Sequence, residues 1–268
     1  MLENKITIKF IPRQRLMSLR FIREASRSAM VHFLAEFDVT ECLRRFDTIM
    51  AVHKIKPSLT AYLAWCLGSV VREHPDINSF LLGGKRIVTF EDVDVAIAVE
   101  YTVQGESRLR YHTIRAVNKK SFLEITRELD ACRATPEPGG AARGAKLGLL
   151  SLMQKAASGM NPLSYWLWKR LMRNPYTRQK IEGTTVVSSM GMKGKGASFF
   201  AVPRGGRSFG LTVGSISKEP KVVGNEIMIR DILKATLSVD HFIMDGASIT
   251  RFLVSLQEGI ERGPLVDG

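Results

Sequence analysis

The sequence predicts an α/β domain built on a mixed sheet, and three observations predict it. Helical and strand patterns are interspersed in the first half of the chain. Strand patterns then follow one another from about residue 183 to residue 240, and one amphipathic helix closes the sequence. A fully alternating βαβ arrangement would not leave that uninterrupted strand run. At 268 residues, 45% of them hydrophobic, the chain suits one large domain or two small ones and can bury a real core.

The elements follow in order. "ITIKFI" (residues 6–11) and "FLAEFDV" (33–39) read as strands. Asp38 and Glu41 resemble a capping box opening a short helix, with Cys42, Leu43 and Phe46 on its inner face. "PSLTAYLAWCLGSVVREHP" (57–75) is a helix: Leu59, Tyr62, Leu63, Cys66, Leu67 and Val70 keep the i, i+3, i+4 rhythm, and Pro75 stops it. "RIVTF" and "VDVAIAVEY" follow as strands. Ser121 and Glu124 form a second capping box before a helix carrying Phe122, Ile125 and Leu129.

"RATPEPGGAARGAK" (133–146) breaks regular structure with its Pro and Gly cluster. Two helical pieces come next, Leu147 to Ser158 and Leu163 to Met172, split by Asn161-Pro162. The remaining strands are expected at "GTTVVSSM", "SFFAV", "FGLTVGSI", "NEIMI" and "ILKATLSV". The closing helix places Ile249, Phe252, Leu253, Leu256 and Ile260 on one face. No internal repeat is visible.

Composition excludes several classes. No apolar run approaches the roughly 20 residues of a membrane span, and the first residues lack the charged-then-apolar layout of a leader. Cys42, Cys66 and Cys132 are odd in number and far apart, so they read as reduced thiols of a cytoplasmic protein rather than a disulfide frame or metal knuckle. The net charge is +13, and Arg133 to Lys180 supplies +8 of it, with nine Lys or Arg against the single acid Glu137. An excess so local argues for a local partner and against a nucleic-acid binder.

The chemistry concentrates in "LSVDHFIMDG" (237–246), where an apolar strand hands over to a helix at His241, with Asp245 and Gly246 close behind. By itself a histidine beside a strand is more often structural than catalytic. A metal site would need a third ligand that no pattern supplies. "GMKGKG" (191–196) has neither a phosphate-loop ending nor a dinucleotide spacing, and no G-x-S-x-G nucleophile turn occurs.

The wider context is more specific. His241-Phe242-x-x-Asp245-Gly246, preceded by "TLSVD", resembles the active-site segment of the coenzyme A-dependent acyltransferase family. That family includes the catalytic domains of the dihydrolipoyl acyltransferases of 2-oxo acid dehydrogenase complexes, and chloramphenicol acetyltransferase. "GTTVVSSMGMKG" resembles its serine-containing strand and glycine turn, with Gly191 and Gly194 as turn residues. "LTAYLAWCLGSVVREHPDINSFL", "FEDVDVAIAVE" and "IRAVNKKSFLEIT" are similar to its other segments, in the same order.

The resemblance implies a single-lobe domain over residues 1–268 with the chloramphenicol acetyltransferase-like mixed-sheet fold and a basic helical insertion at about 133–181. It implies that His241 is the general base, that Ser188 donates to the tetrahedral oxyanion, and that Asp245 braces the loop through an arginine, with Arg13, Arg15 and Arg20 as candidates. Gly246 would let the backbone turn. It also implies a homotrimer, or an assembly of trimers, with the active site between subunits, because one lobe supplies only one wall. The substrates would be a coenzyme A (or carrier-protein) thioester and a small-molecule or carrier-bound acceptor, with no metal.

Three departures shape the expectation. Phe242 stands where dehydrogenase-complex members carry arginine. No lipoyl domain or Ala/Pro-rich linker precedes the domain in this sequence, and the basic helical segment replaces a short connection. A free-standing acyltransferase is therefore expected ahead of two alternatives: a complex core served by a lipoyl domain in trans, or a non-catalytic scaffold of the same fold. The insertion is expected to be an added helical pair, a membrane-surface helix, or a docking face for an acidic carrier protein or for phosphates.

Overall fold

The computed structural model describes residues 28–103, 106–134, 166, 169–190, 197–203 and 207–265. Eight strands and five helices make up the named elements: β1 (Met30–Asp38), α1 (Thr40–His53), α2 (Leu59–Val71), β2 (Ser79–Leu82), β3 (Arg86–Thr89), β4 (Val95–Val103), β5 (Glu106–Ile114), α3 (Phe122–Ala134), α4 (Pro175–Glu182), β6 (Thr185–Ser189), β7 (Phe209–Val223), β8 (Glu226–Asp240) and α5 (Gly246–Arg262). Six strands form one sheet in the order β1-β8-β7-β6-β4-β5. β6 runs parallel to both β4 and β7, and the other neighbours are antiparallel, so the sheet is mixed. β2 and β3 make a separate hairpin.

Period-two alternation sets the two faces of the sheet. Phe37, Val95, Ile97, Val187, Leu211 and Leu237 belong to the core, together with residues of α1, α2, α3 and α5. Each such side chain, fully buried, contributes roughly 1.5–3 kcal/mol. Helix α2 begins where the Ser58 side chain accepts from Ala61 N, and its Tyr62 hydroxyl donates to Gly259 O of α5 at 2.6 Å. Tyr62 also sits edge-on to Phe46 and Phe122, which joins α1, α2 and α3.

The second capping box forms as expected: Ser121 N donates to Glu124 Oε2 at 2.8 Å, and Glu124 N to Ser121 Oγ at 3.3 Å. The first does not. Val39 is the N-cap residue of α1, Glu41 turns to Arg44 and Arg45, and the Asp38 carboxylate accepts from Thr40 N and Arg230 Nε. An arginine across the sheet and two along the helix outcompete the local box. Helix α1 also runs 14 residues, longer than the short helix expected.

Four strand expectations change. "NEIMI" and "ILKATLSV" are one strand, β8, because the charged pair between them, Arg230-Asp231, is neutralised by Asp38 and Lys218 instead of turning the chain. β7 likewise continues to Val223. "SFFAV" is not a strand. Residues 199–200 lie against the sheet, with Phe199 N donating to Ser215 Oγ at 2.9 Å at the irregularity between Val213 and Ile216. Gly214 permits that approach, since an added Cβ would stand 2.2 Å from Phe199 O. β2 and β5 were not anticipated; β5, on the sheet edge, alternates charge with apolar residues and resembles a loop. "ITIKFI" and the helix expected at 147–158 lie outside the described residues, and of the second insertion helix Trp166 and residues 169–172 are helical.

Candidate active site

The loop after β8 is built from its backbone. Asp240 N donates to Ser208 O, His241 N to Ala29 O at 2.9 Å, Phe242 N to Asp240 Oδ1, and Ile243 N to Asp240 O. Met244 is buried and Ile243 packs on the core, so the loop is anchored on its far side while His241 and Phe242 face outward. Phe242 is 62% exposed, a large apolar ring left open beside the histidine.

Asp245 is the N-cap of α5, its Oδ1 accepting from Ser248 N at 2.8 Å. That bond holds its carboxyl below the ordinary aspartate value. This cap fixes the loop to the helix terminus; the arginine brace expected of Asp245 falls on Arg13, Arg15 and Arg20, which lie outside the described residues. Gly246 is the first residue of α5, its φ is not positive, and an added Cβ would meet nothing within 4 Å. The turn expected of it does not depend on glycine.

Ser188 sits on β6 beside Val187. Val187 points into the core, so Ser188 projects from the opposite face, which carries no helix among the described residues. The register puts Ser188 level with Thr212 on β7 and Thr236 on β8. Four further residues of β8 and two strand spacings separate Ser188 from Asp240, about 13 Å along the strands and about 10 Å across them. His241 then bonds to Ala29, on the β1 side of β8 and away from β6. One chain therefore does not bring Ser188 and His241 together. Ser188 is level with Leu34, midway along β1, while His241 follows the last rung of β8.

The face around Ser188 carries small and polar side chains that sequence reasoning missed. Thr212, Thr236 and Ser238 are buried there, and His32 Nδ1 shares a 2.8 Å hydrogen bond with Ser238 Oγ. The Thr236 hydroxyl is buried without a partner. Lys234 bridges Glu36 and Glu219 at 3.1 and 2.7 Å, under the Phe200 ring. The signal was present as alternation: Lys234, Thr236 and Ser238 interleave with Leu233, Ala235 and Leu237.

Neither buried thiol offers a nucleophile. Burial pushes Cys42 up to about 12 and raises Cys66 still more. Among the described residues no three-group cluster could hold a metal ion, and no helix is long and apolar enough to cross a membrane. Trp166 of the basic insertion is 56% exposed, with Arg170 stacked 5.8 Å from its ring.

Three comparisons bear on this arrangement. The family model described as "2-oxoacid dehydrogenases acyltransferase (catalytic domain)" matches residues 3–139 and 167–265, leaving 140–166 of the basic stretch unmatched. The dihydrolipoyllysine-residue acetyltransferase component of the pyruvate dehydrogenase complex from Rickettsia conorii is 25% identical over 225 residues, 84% of this chain and 44% of the relative. The chain thus spans under half the length of that relative. Among solved structures, the cubic core of the pyruvate dehydrogenase multienzyme complex superposes with a TM-score of 0.67 at 20% identity, covering 97% of this chain and 93% of the other. Chloramphenicol acetyltransferase superposes with a TM-score of 0.50 at 13% identity, covering 95% and 98%. The sheet and its helices share the fold of those proteins.

Proposed function

The chain belongs to the family of 2-oxoacid dehydrogenase acyltransferase catalytic domains, and from that premise we propose that it transfers an acyl group from a coenzyme A (or carrier-protein) thioester to a hydroxyl, thiol or amine acceptor. Transfer is direct. His241 takes the acceptor's proton as the heteroatom attacks the thioester carbonyl. The carbonyl oxygen becomes an oxyanion that the Ser188 hydroxyl stabilises. Collapse breaks the carbon–sulfur bond, and the departing thiolate recovers the proton from His241. Asp245 keeps α5 and the preceding loop in register. The deeply protonated Cys42 and Cys66 support a route without a covalent thioester on the protein, and the free thiols also support the cytoplasmic setting.

One observation carries the quaternary part of the reading: within one chain Ser188 lies about 13 Å along the strands and about 10 Å across them from Asp240, and the His241 loop turns away from β6. A contact that pairs the Ser188 surface of one copy with the His241 loop of the next is head-to-tail, and such contacts generate a ring where the rotation closes. A homotrimer, alone or within a larger assembly, would give each site His241 from one copy and Ser188 from its neighbour. Mixing tests this directly. His241→Ala and Ser188→Ala proteins, each inactive or nearly so, are unfolded together and reassembled. Random trimers restore about one quarter of wild-type turnover, because only sites with both intact residues work. Absence of any recovery, with mixed trimers verified by mass, would overturn the shared site.

The family description and the Rickettsia conorii relative favour a second reading of the same chemistry. The acyl group then moves between coenzyme A and a dihydrolipoyl group presented in trans, within a 2-oxo acid dehydrogenase complex. Assay with a separate reduced lipoyl domain against free small acceptors separates the two. For the basic stretch, the exposed Trp166 and its stacked Arg170 support an acidic carrier or an anionic membrane surface as partner.

A further inference from the structure

We infer that His32, acting through Ser238, is a positioning residue for the His241 loop. The inference rests on the acyl-transfer reading of His241, but its geometry stands on the strand pairing alone. Among the described residues β1 is an edge strand of the large sheet, with β8 as its hydrogen-bonded neighbour and α5 packed on one face. Its last rung is Met30 opposite Asp240, and one step beyond it Ala29 O accepts the His241 amide at 2.9 Å. The catalytic histidine's backbone is thus fixed by the end of an edge strand, the part of a sheet most prone to fray.

Among the described residues, three side-chain links tie β1 to β8. Asp38–Arg230 and Glu36–Lys234 lie toward the far end of the pairing. The third, His32 Nδ1 to Ser238 Oγ at 2.8 Å, joins directly opposed residues two steps inside the Met30–Asp240 rung. Ser238 is 3% exposed, so its hydroxyl depends on this partner rather than on water. Opening the link would free β1 from its Met30 end, release Ala29 from His241, and let the imidazole drift from the attacking acceptor. Misplacement on the scale of 1 Å costs about a hundredfold in rate.

The test compares His32→Ala, His32→Asn and Ser238→Ala in the full chain. His32→Ala is expected to lower kcat about tenfold to a hundredfold with KM nearly unchanged. His32→Asn, whose amide can still reach the serine hydroxyl, recovers most of the loss. Ser238→Ala removes the link without stranding a buried hydroxyl and carries the same test if His32→Ala folds poorly. Hydrogen exchange of residues 241–245 accelerates in both alanine variants, while the β7–β8 pairing stays protected. Wild-type kcat and wild-type exchange in the alanine variants would overturn the inference, as would a His32→Asn protein as impaired as His32→Ala. If the wild type transfers no acyl group, the proposed reaction fails instead, and exchange at 241–245 alone decides the positioning role.

Discussion

At the scale of single residues, the proposed site divides into groups that would act on the reaction and groups that would hold them. Ser188→Ala is expected to lower kcat roughly 100- to 1,000-fold with little change in KM, because an oxyanion donor works chiefly in the transition state. His241→Ala is expected to abolish turnover while thermal unfolding stays near wild type, since the side chain faces outward. Steady-state kinetics on a verified thioester checks both; wild-type turnover in either variant removes that residue's role. Tyr62→Phe is the structural contrast. It deletes the 2.6 Å bond to Gly259 O at the α2–α5 contact and should cost about 1–3 kcal/mol of unfolding free energy, leaving kcat intact. Denaturant titration measures the shift.

At the scale of elements, the β7–β8 ribbon is the part of the fold least explained by one chain. Beyond the helices it carries Val222, Ile227 and Ile229 at 74%, 78% and 73% exposure, paired as Val222–Ile227 and Pro220–Ile229 on one side. An apolar stripe of this kind marks a contact surface, and it projects from the end of the sheet opposite His241. Ile227→Lys combined with Ile229→Lys should therefore weaken assembly, read as a smaller species by light scattering; an unchanged mass would show that the stripe lies outside the contact. The ribbon's base is pinned electrostatically. Hydrogen bonds from Lys221 and Lys234 lower Glu36, and those from Lys234 and Ser217 lower Glu219. Depressed carboxylates stabilise the fold above their unfolded values, and that contribution is lost as pH falls through the folded ones. Stability should thus decline as pH drops below the ordinary glutamate value of 4.5. Lys234→Met should flatten the decline measured by urea unfolding across that range.

At the scale of the whole molecule, charge and assembly meet in the basic stretch. The family match is interrupted at 140–166, within the segment that supplies +8 of the net +13. Deleting 140–166 should spare assembly and the turnover of small free thioesters, yet impair use of a natural carrier or surface. That impairment should grow weaker as salt shortens screening below about 8 Å. Equal handling of carrier-bound and free substrates by the deletion variant would make the stretch structural.

The sequence by itself determined what depends on neighbours along the chain. Periodicity placed α2, α5 and most strands, Ser121–Glu124 placed the start of α3, and the His241–Asp245–Gly246 spacing placed a chemical group at a strand-to-helix junction. All of these rest on i, i+3 and i, i+4 geometry or on period-two alternation, which a local window contains. Only the tertiary structure decided that Arg230-Asp231 continues a strand, because Asp38 and Lys218, which neutralise the pair, come from distant positions or the opposing strand. It alone decided that His32 meets Ser238 across 206 residues, since strand register is a non-local property. Ser188 and His241 were legible as candidates, and the family resemblance implied a site shared between copies. Only the strand register gives their distance within one chain, because spacing along the chain says nothing of where across a sheet two residues stand.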